Sequence, residues 1–339
     1  MKKARIGING FGRIGRSFFR GAFGNKDFDI VAVNDLSDTK TLAYLLKYDS
    51  VYGRYDKKVE AKDGHFEVDG KEVKVFAEKE PANLPWKDLN VDIVVESTGF
   101  FANDTSKAHI GAGAKRVVIT APANGDVVTA LIGVNDDLFK KNHPLTCNAS
   151  CTTNSVAPVL QIILENFGIK DAMLTTVHGY TATQKLVDGP DAKDMRRGRA
   201  AAVNIVPSTT GASEAITKAI PQLEGKFDAD SIRVPTITGS LSVVTAKLER
   251  VSLQGISKEN INQIFINASK EKRWEKVLKV TEDPIVSTDI IGEPYGAVID
   301  LSLTKVVGSD LVKIFSWYDN EAGYTATLVE HVKRVAENL

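Results

Sequence analysis

Ala4-Arg5-Ile6-Gly7-Ile8-Asn9, Gly10-Phe11-Gly12-Arg13-Ile14-Gly15 and Arg16-Ser17-Phe18-Phe19-Arg20 succeed one another without a break near the start of the chain. The first run is short and β-rich, the second spells G-x-G-x-x-G, and the third continues as a helix. That order is the strand, turn and helix start of a doubly wound dinucleotide-binding unit. Gly10 permits the tight turn, Gly12 removes a side chain where a pyrophosphate approaches the backbone, and Gly15 lets helix pack on strand. The N-H groups at the helix start then offer themselves to phosphates. The glycine pattern alone describes a plain turn equally well, so the next strand and its end decide between the two. Ile30-Val31-Ala32-Val33-Asn34 reads as that strand, and Asp35 lies twenty residues beyond Gly15. That is where this fold places the acid that accepts hydrogen bonds from the adenosine ribose. A carboxylate there repels a 2'-phosphate, which predicts NAD in preference to NADP; capping the next helix is the alternative role.

Outward from this stretch, helix and strand signals alternate. A helix is expected near 38–47, short strands around the turns Asp63-Gly64 and Asp69-Gly70, and a strand at Val91-Asp92-Ile93-Val94-Val95-Glu96. A helix near 102–112 and the strand Arg116-Val117-Val118-Ile119-Thr120 come next. The alternation predicts an α/β chain with a mostly parallel Rossmann sheet, whose ligands sit beyond the carboxyl ends of the strands. Ser97-Thr98-Gly99 and Thr120-Ala121-Pro122 lie at two such ends, as cofactor-side loops or as ordinary turns.

Past Pro144-Leu145-Thr146-Cys147-Asn148, a strand, an apolar-periodic helix is expected from Ser155 to Phe167, ended by Gly168. Cys151 falls between them, at or near a helix N-terminus, where the dipole and unpaired N-H groups favour a thiolate. Cys151 and Cys147 are the chain's two cysteines, too few for a disulfide framework or a four-thiolate zinc site. No metal site is expected. Strands at 169–180, 226–234, 239–250 and 297–318, with helices near 211–220 and 258–269, predict a second α+β domain with a large antiparallel sheet. The irregular stretch from Thr181 to Pro207 is long for a compact domain, which points to function. A last helix from Glu321 to about Ala336 is expected to return to the nucleotide domain. The expected division is 1–150 completed by 320–339, and 151–319 as catalytic domain.

Ser150-Cys151-Thr152-Thr153-Asn154 resembles the signature of the glyceraldehyde-3-phosphate dehydrogenase family. The likeness runs over essentially the whole chain: Gly7 to Gly15, Asn34-Asp35, Glu96 to Gly99, His178 to Gln184, Asp188-Gly189-Pro190, Ser208 to Ala212, and Trp317-Tyr318-Asp319-Asn320-Glu321. The resemblance implies an NAD-dependent, phosphorylating oxidation of D-glyceraldehyde 3-phosphate to 1,3-bisphosphoglycerate through a Cys151 thioester, with His178 as base. An imidazolium beside the sulfur would hold it as a thiolate, and the same ring would take the hemithioacetal proton. His65, His109, His143 and His331 keep structural readings.

By the same resemblance Gly10, Gly12, Arg13, Ile14, Gly15, Asp35, Lys79, Thr98, Gly99 and Thr120 fall to the cofactor. Asn320 is placed on the nicotinamide carboxamide, with Tyr324 nearby. Thr181, Arg197 and Arg233 are placed on the substrate phosphate, and Ser150, Thr152, Thr210 and Gly211 on inorganic phosphate. A homotetramer is implied, the stretch after Thr181 lying against a neighbouring subunit. Many relatives carry a second cysteine four residues after the nucleophile; here Ser155 stands there and Cys147 is expected to be a buried strand residue. An erythrose-4-phosphate dehydrogenase, releasing its thioester to water, and a non-catalytic nucleotide- or RNA-binding protein are the rival readings.

Composition limits where such chemistry operates. The 339 residues carry 43 Lys plus Arg against 43 Asp plus Glu, so no global charge attracts nucleic acid or an anionic membrane. Met1-Lys2-Lys3 leads directly into the first strand with no apolar leader, and the chain contains no long uncharged apolar run. A cytoplasmic protein is expected.

Overall fold

The structure, a computed structural model, describes residues 3–192, 194–251 and 255–339. They form two compact units, Met1–Leu131 with Asn135–Ala149 and Leu328–Leu339, and Ile132–Val134 with Ser150–Thr327.

In the first unit the order is β1 (Ala4–Asn9), α1 (Arg13–Ala22), β2 (Phe28–Asn34), α2 (Thr39–Lys47), a hairpin of β3 (Tyr48–Asp49) and β4 (Gly53–Arg54), then β5 (Val59–Lys62), β6 (His65–Val68) and β7 (Lys71–Phe76). β8 (Ile93–Glu96), α3 (Lys107–Gly111), β9 (Arg116–Ile119), β10 (Val128–Thr129) and β11 (Leu145–Cys147) come after them. The main sheet runs β10-β11-β9-β8-β1-β2-β7-β6-β5. Its pairs are parallel from β10 to β7 and antiparallel over β7, β6 and β5. β1 has β2 on one side and β8 on the other, so the strand order reverses there and opens a crevice at the carboxyl ends.

α1 buries Gly15, Phe18, Phe19 and Ala22, the stripe a 3.6-residue period selects. Phe19 meets Phe11 edge-on at 5.6 Å, and Phe18 stacks on Phe28 at 6.3 Å. Each such ring contributes about 1.5–3 kcal/mol by leaving water. The helix expected near 102–112 is reduced to a 3-10 turn at Asp104–Ser106 and five residues of α3, because Asn103 caps the turn and Gly113 adopts a positive φ of 110° just beyond.

The second unit opens with α4 (Cys151–Phe167) and β12 (Ile169–Gly179), then β13 (Val206–Thr209), α5 (Ala212–Ala219), β14 (Phe227–Val234), β15 (Ser240–Leu248) and α6 (Lys258–Ala268). β16 (Leu278–Thr281), β17 (Ala297–Asp300), β18 (Lys305–Val307), β19 (Leu311–Tyr318) and α7 (Ala322–Ala336) complete it, residues of α7 from Leu328 onward belonging to the first unit. The sheet order is β13-β14-β12-β15-β19-β17-β16, with β18 on β19. Most pairs are antiparallel, but β12 with β14 and β16 with β17 are parallel. A crossover carrying α5 separates β12 from β14, which is the connection a parallel pair requires.

Several boundaries differ from the sequence expectation. α4 begins a full turn earlier than Ser155 because Ser150 caps it, its Oγ accepting from Thr153 N at 3.1 Å. The expected run 297–318 is broken by a 3-10 turn at Leu301–Leu303, where Asp300 caps Ser302 N. β13 emerges inside the stretch expected to be irregular, in which Lys193 lies outside the described residues.

Candidate active site

The register of the second sheet determines which side chains meet. β12 and β14 run parallel with His178 opposite Arg233, and β13 places Val206 on the other side of Arg233. α4 supplies Cys151 as its first residue. Cys151 Sγ stands 3.3 Å from His178 Nε2, and His178 Nδ1 lies 2.6 Å from Gly179 O and 2.7 Å from Arg233 NH1. Tyr318 packs its ring edge-on to the imidazole at 5.8 Å, and its hydroxyl bonds Thr152 Oγ1 at 3.0 Å and Thr176 Oγ1 at 2.7 Å.

Two neighbours compete for His178 Nδ1. Gly179 O can only accept and Arg233 can only donate. Arg233 NH1 has a second acceptor in the same carbonyl at 3.2 Å, whereas a bare Nδ1 lone pair at 2.6 Å from a carbonyl oxygen would be repelled. The consistent tautomer is Nδ1-H donating to Gly179 O, with the Nε2 lone pair facing sulfur. Burial, and then the Arg233 charge, push the imidazole down to about 3. Burial pushes the Cys151 thiol up, opposed by Arg233 and by the N-H groups of Thr152 and Cys151 at the helix start. Arg233 thus acts on both partners, favouring a thiolate on Cys151 and disfavouring an imidazolium on His178. Burial works against both charges of the thiolate-imidazolium pair expected from sequence, while Arg233 and the helix start support the thiolate.

The anion-binding candidates divide. Thr181 Oγ1 meets Thr183 Oγ1 at 2.9 Å, and Arg197 NH2 donates to the same Thr183 hydroxyl at 3.3 Å, so Thr181 and Arg197 share one cluster. The Arg197 charge is also felt by Arg233. The hydroxyls of Ser150 and Thr210 are used within their own turns: Ser150 bonds Thr153, and Thr210 Oγ1 accepts from Ala212 N at 3.2 Å. Gly211 caps α5. The Thr152 hydroxyl is buried against Tyr318, so toward an anion this residue offers its backbone N-H and not its side chain.

Asn320 is buried, and its Oδ1 accepts from Thr238 Oγ1 at 3.2 Å, Gly239 N at 3.1 Å and Ser240 Oγ at 3.0 Å. The backbone donor fixes the amide orientation: oxygen faces Gly239, and Nδ2 has no hydrogen-bond partner among the described residues. Tyr324 is buried in the same unit.

In the first unit a cavity of about 600 Å³ opens at the carboxyl ends of β1, β2 and β8, lined by Gly10, Gly12, Asp35, Lys79 and Thr98 among others. The glycines meet the demands of a dinucleotide differently. A Cβ on Gly15 would lie 2.2 Å from Gly10 O, whereas one on Gly12 would meet no protein atom. Nothing in the protein itself requires a glycine at 12, so the space kept clear there suits a ligand backbone. The Asp35 carboxylate accepts from Phe11 N at 2.9 Å and Ser37 N at 3.0 Å, which holds it at the cavity rim. These residues fit a dinucleotide. Arg13, Ile14, Gly15, Gly99 and Thr120 are not among the lining residues; Arg13 is held by Asp49 at 2.5 Å, and Thr120 N bonds Glu96 O.

Sequence reading missed Leu36, Glu78, Phe100 and Phe101 of this lining. Leu36 and Phe100 are 69% and 84% exposed, large apolar side chains in the loops that follow β2 and β8, and that placement was the available signal. Beneath the cavity Glu96 accepts from Asn9 Nδ2, Thr98 N and Thr98 Oγ1, and from buried His109, whose Nδ1 takes the Trp86 indole proton at 2.9 Å. Cys147 is fully buried in β11. Among the described residues no cluster of His, Cys, Asp and Glu is arranged to hold a metal.

Comparison with known proteins agrees in both units. Residues 4–104 match the family described as glyceraldehyde 3-phosphate dehydrogenase, NAD binding domain, and residues 150–320 match its C-terminal domain. The chain is 45% identical over 339 residues to the glyceraldehyde-3-phosphate dehydrogenase of Borreliella burgdorferi, covering 98% of this chain and 100% of the relative. It is 49% identical over 330 residues to that of Thermotoga maritima, covering 96% and 97%. A third relative, glyceraldehyde-3-phosphate dehydrogenase 2 of Streptomyces avermitilis, is 48% identical over 329 residues, covering 96% of each chain.

Proposed function

The chain belongs to the glyceraldehyde-3-phosphate dehydrogenase family, and from that premise we propose that Cys151 is the nucleophile, His178 the base and Arg233 the cation that holds both in place during oxidation and phosphorylation of glyceraldehyde 3-phosphate with NAD. The observation that carries the assignment is the 3.3 Å contact of Cys151 Sγ with an imidazole nitrogen whose opposite nitrogen is anchored on Gly179.

Sulfur adds to the aldehyde carbon while its proton passes to Nε2 and on to the new oxygen, giving a hemithioacetal. His178 then takes the hydroxyl proton as the C-H bond breaks, and the carbon is left as a thioester on Cys151. NAD supplies the two-electron acceptor for this oxidation. A phosphate oxygen attacks the thioester carbon, the C-S bond breaks, and sulfur recovers the proton from His178, releasing the acyl phosphate. N-H groups at the start of α4 support the oxyanions. Burial and then Arg233 disfavour an imidazolium at His178, which favours passing its proton on.

Arg233, Arg197 and Thr181 are assigned to the substrate phosphate, and the backbone of α4 with Ser150, Thr152, Thr210 and Gly211 to inorganic phosphate. Gly10, Gly12, Asp35, Lys79 and Thr98 are assigned to NAD, with Arg13, Ile14, Gly15, Gly99 and Thr120 shaping the loops around them. Asn320, through its Nδ2, is assigned to the carboxamide, with Tyr324 beside it. The same reading favours a homotetramer in the cytoplasm. Leu186, Val187, Met195, Val203 and Ile205 are each more than 70% exposed within one stretch, more apolar surface than a lone subunit ordinarily displays. Among the described residues no helix is long and apolar enough to cross a membrane.

The deciding experiment is NADH formation from glyceraldehyde 3-phosphate with and without inorganic phosphate, before and after thiol alkylation. Turnover that requires phosphate and dies with alkylation is expected. Steady turnover indifferent to phosphate would favour release of the thioester to water and defeat the assignment.

A further inference from the structure

The two halves of the chemistry, proton removal and orientation of the oxidant's carboxamide, meet at one buried hydroxyl. Ser240 Oγ accepts from Gly179 N at 3.1 Å and donates to Asn320 Oδ1 at 3.0 Å. The direction of each bond is forced. A backbone N-H can only donate, so the serine proton is free to go elsewhere, and Asn320 turns its oxygen toward the Gly239 N-H. The same Gly179 residue that donates to Ser240 presents its carbonyl to His178 Nδ1 and to Arg233 NH1. One continuous chain therefore runs from the imidazole, through Gly179 and Ser240, to the Asn320 amide. Ser240 is 1% exposed and Gly179 and Asn320 are buried, so water cannot replace a lost member cheaply.

We propose that Ser240 is a positioning residue that couples the placement of His178, through the Gly179 backbone, to the orientation of Asn320. The inference rests on the reading of Asn320 as the carboxamide partner and of His178 as the base. Ser240 holds the Gly179 backbone where its carbonyl meets His178 Nδ1, and its own proton adds to the Gly239 N-H in keeping Asn320 Oδ1 turned inward and Nδ2 free for a ligand. Thr238 provides the internal comparison. Its Oγ1 also reaches Asn320 Oδ1, and Asp319 Oδ1, at 3.2 Å, and both of these bonds lie on the Asn320 side of the chain, away from Gly179.

The test compares Ser240→Ala, Ser240→Thr, Thr238→Ala and Asn320→Ala in the full-length enzyme. The readouts are kcat, KM for NAD, the iodoacetamide alkylation rate of Cys151 at neutral pH, and the face of the nicotinamide that receives deuterium from C1-deuterated substrate. Ser240→Ala is expected to lower kcat and the alkylation rate each about tenfold, and to let deuterium reach both faces. Thr238→Ala is expected to raise KM for NAD and loosen the facial selectivity with unchanged alkylation. Ser240→Thr, which keeps the hydroxyl, restores alkylation and selectivity together if it folds; should it not, the contrast between the two alanine variants carries the test. Wild-type alkylation and selectivity in folded Ser240→Ala, or identical behaviour of the two alanine variants, overturns the proposal. Unchanged selectivity and KM in Asn320→Ala would instead defeat the carboxamide assignment itself.

Discussion

Replacing His178 by Asn removes the acceptor that stands 3.3 Å from Cys151 Sγ while keeping an amide that can still reach Gly179. A positioned base contributes about 10²–10⁴-fold, so kcat is expected to fall within that range in a phosphate-saturated assay, with alkylation of Cys151 slowed at pH 7. A fall of less than threefold would reassign the base. Asp35 makes a separate prediction at the same scale. Its carboxylate sits at the cavity rim on two backbone donors, and Asp35→Ala removes the charge that repels a 2'-phosphate. The ratio of kcat/KM for NADP to that for NAD is expected to rise about tenfold or more, the effect of roughly 1.4 kcal/mol. Cys151 and Asp35 stood out in the sequence because each combines a chemically special side chain with a distinctive spacing, whereas His178 was singled out among five histidines only by the family resemblance. The guanidinium beside His178 was not legible as its neighbour, because strand pairing alone brings Arg233 from 55 residues away.

At the level of elements, the loop joining β1 to α1 separates what the fold needs from what the ligand needs. Gly15→Ala drives a methyl against Gly10 O, and Gly12→Ala meets no protein atom. For Gly15→Ala, overpacking of about 1–3 kcal/mol exceeds the gain in helix propensity of about 1 kcal/mol, so the urea midpoint is expected to drop. For Gly12→Ala the midpoint is expected to stay within about 1 kcal/mol, the N-cap position being an allowed one at φ −71°, while NAD affinity weakens at least tenfold by isothermal titration. If both variants lose stability equally, the clear space at Gly12 is not a ligand space. Strand and helix order here was readable from periodicity and glycine spacing. Boundaries that depend on a cap or turn were not: Ser150 lengthens α4 by a turn, and the run expected at 297–318 is broken once by the Asp300 cap and again by the turn at Gly308, whose φ is 62°. Parallel pairing of β12 with β14 was equally hidden, since local sequence does not say which side a crossover returns on.

Across the whole molecule the two units share a liability toward acid. His178 in one and His331 in the other are both pushed down to about 3 by burial, His331 held on Thr146 Oγ1 at 2.8 Å and beside Asn148 Oδ1. An unfolded histidine titrates near 6.5, so below that pH unfolding takes up a proton at each of these positions that the native chain refuses. Stability is therefore full above about pH 6.5 and is lost as the pH falls toward 3, with a slope of about 1.4 kcal/mol per pH unit for each histidine. The upper part of this window, about pH 6.5 to 5, precedes carboxylate protonation and isolates the histidine contribution. His331→Gln keeps hydrogen-bonding capacity at the site but cannot titrate. Measured by urea unfolding at several pH values, it is expected to flatten the slope by one proton's worth while His178 continues to supply its own, whatever the variant does to stability at pH 8. An unchanged slope would mean that His331 accepts its proton in the native state, and that burial in the first unit is weaker than its packing against Phe139, whose ring lies 4.8 Å away edge-on, implies.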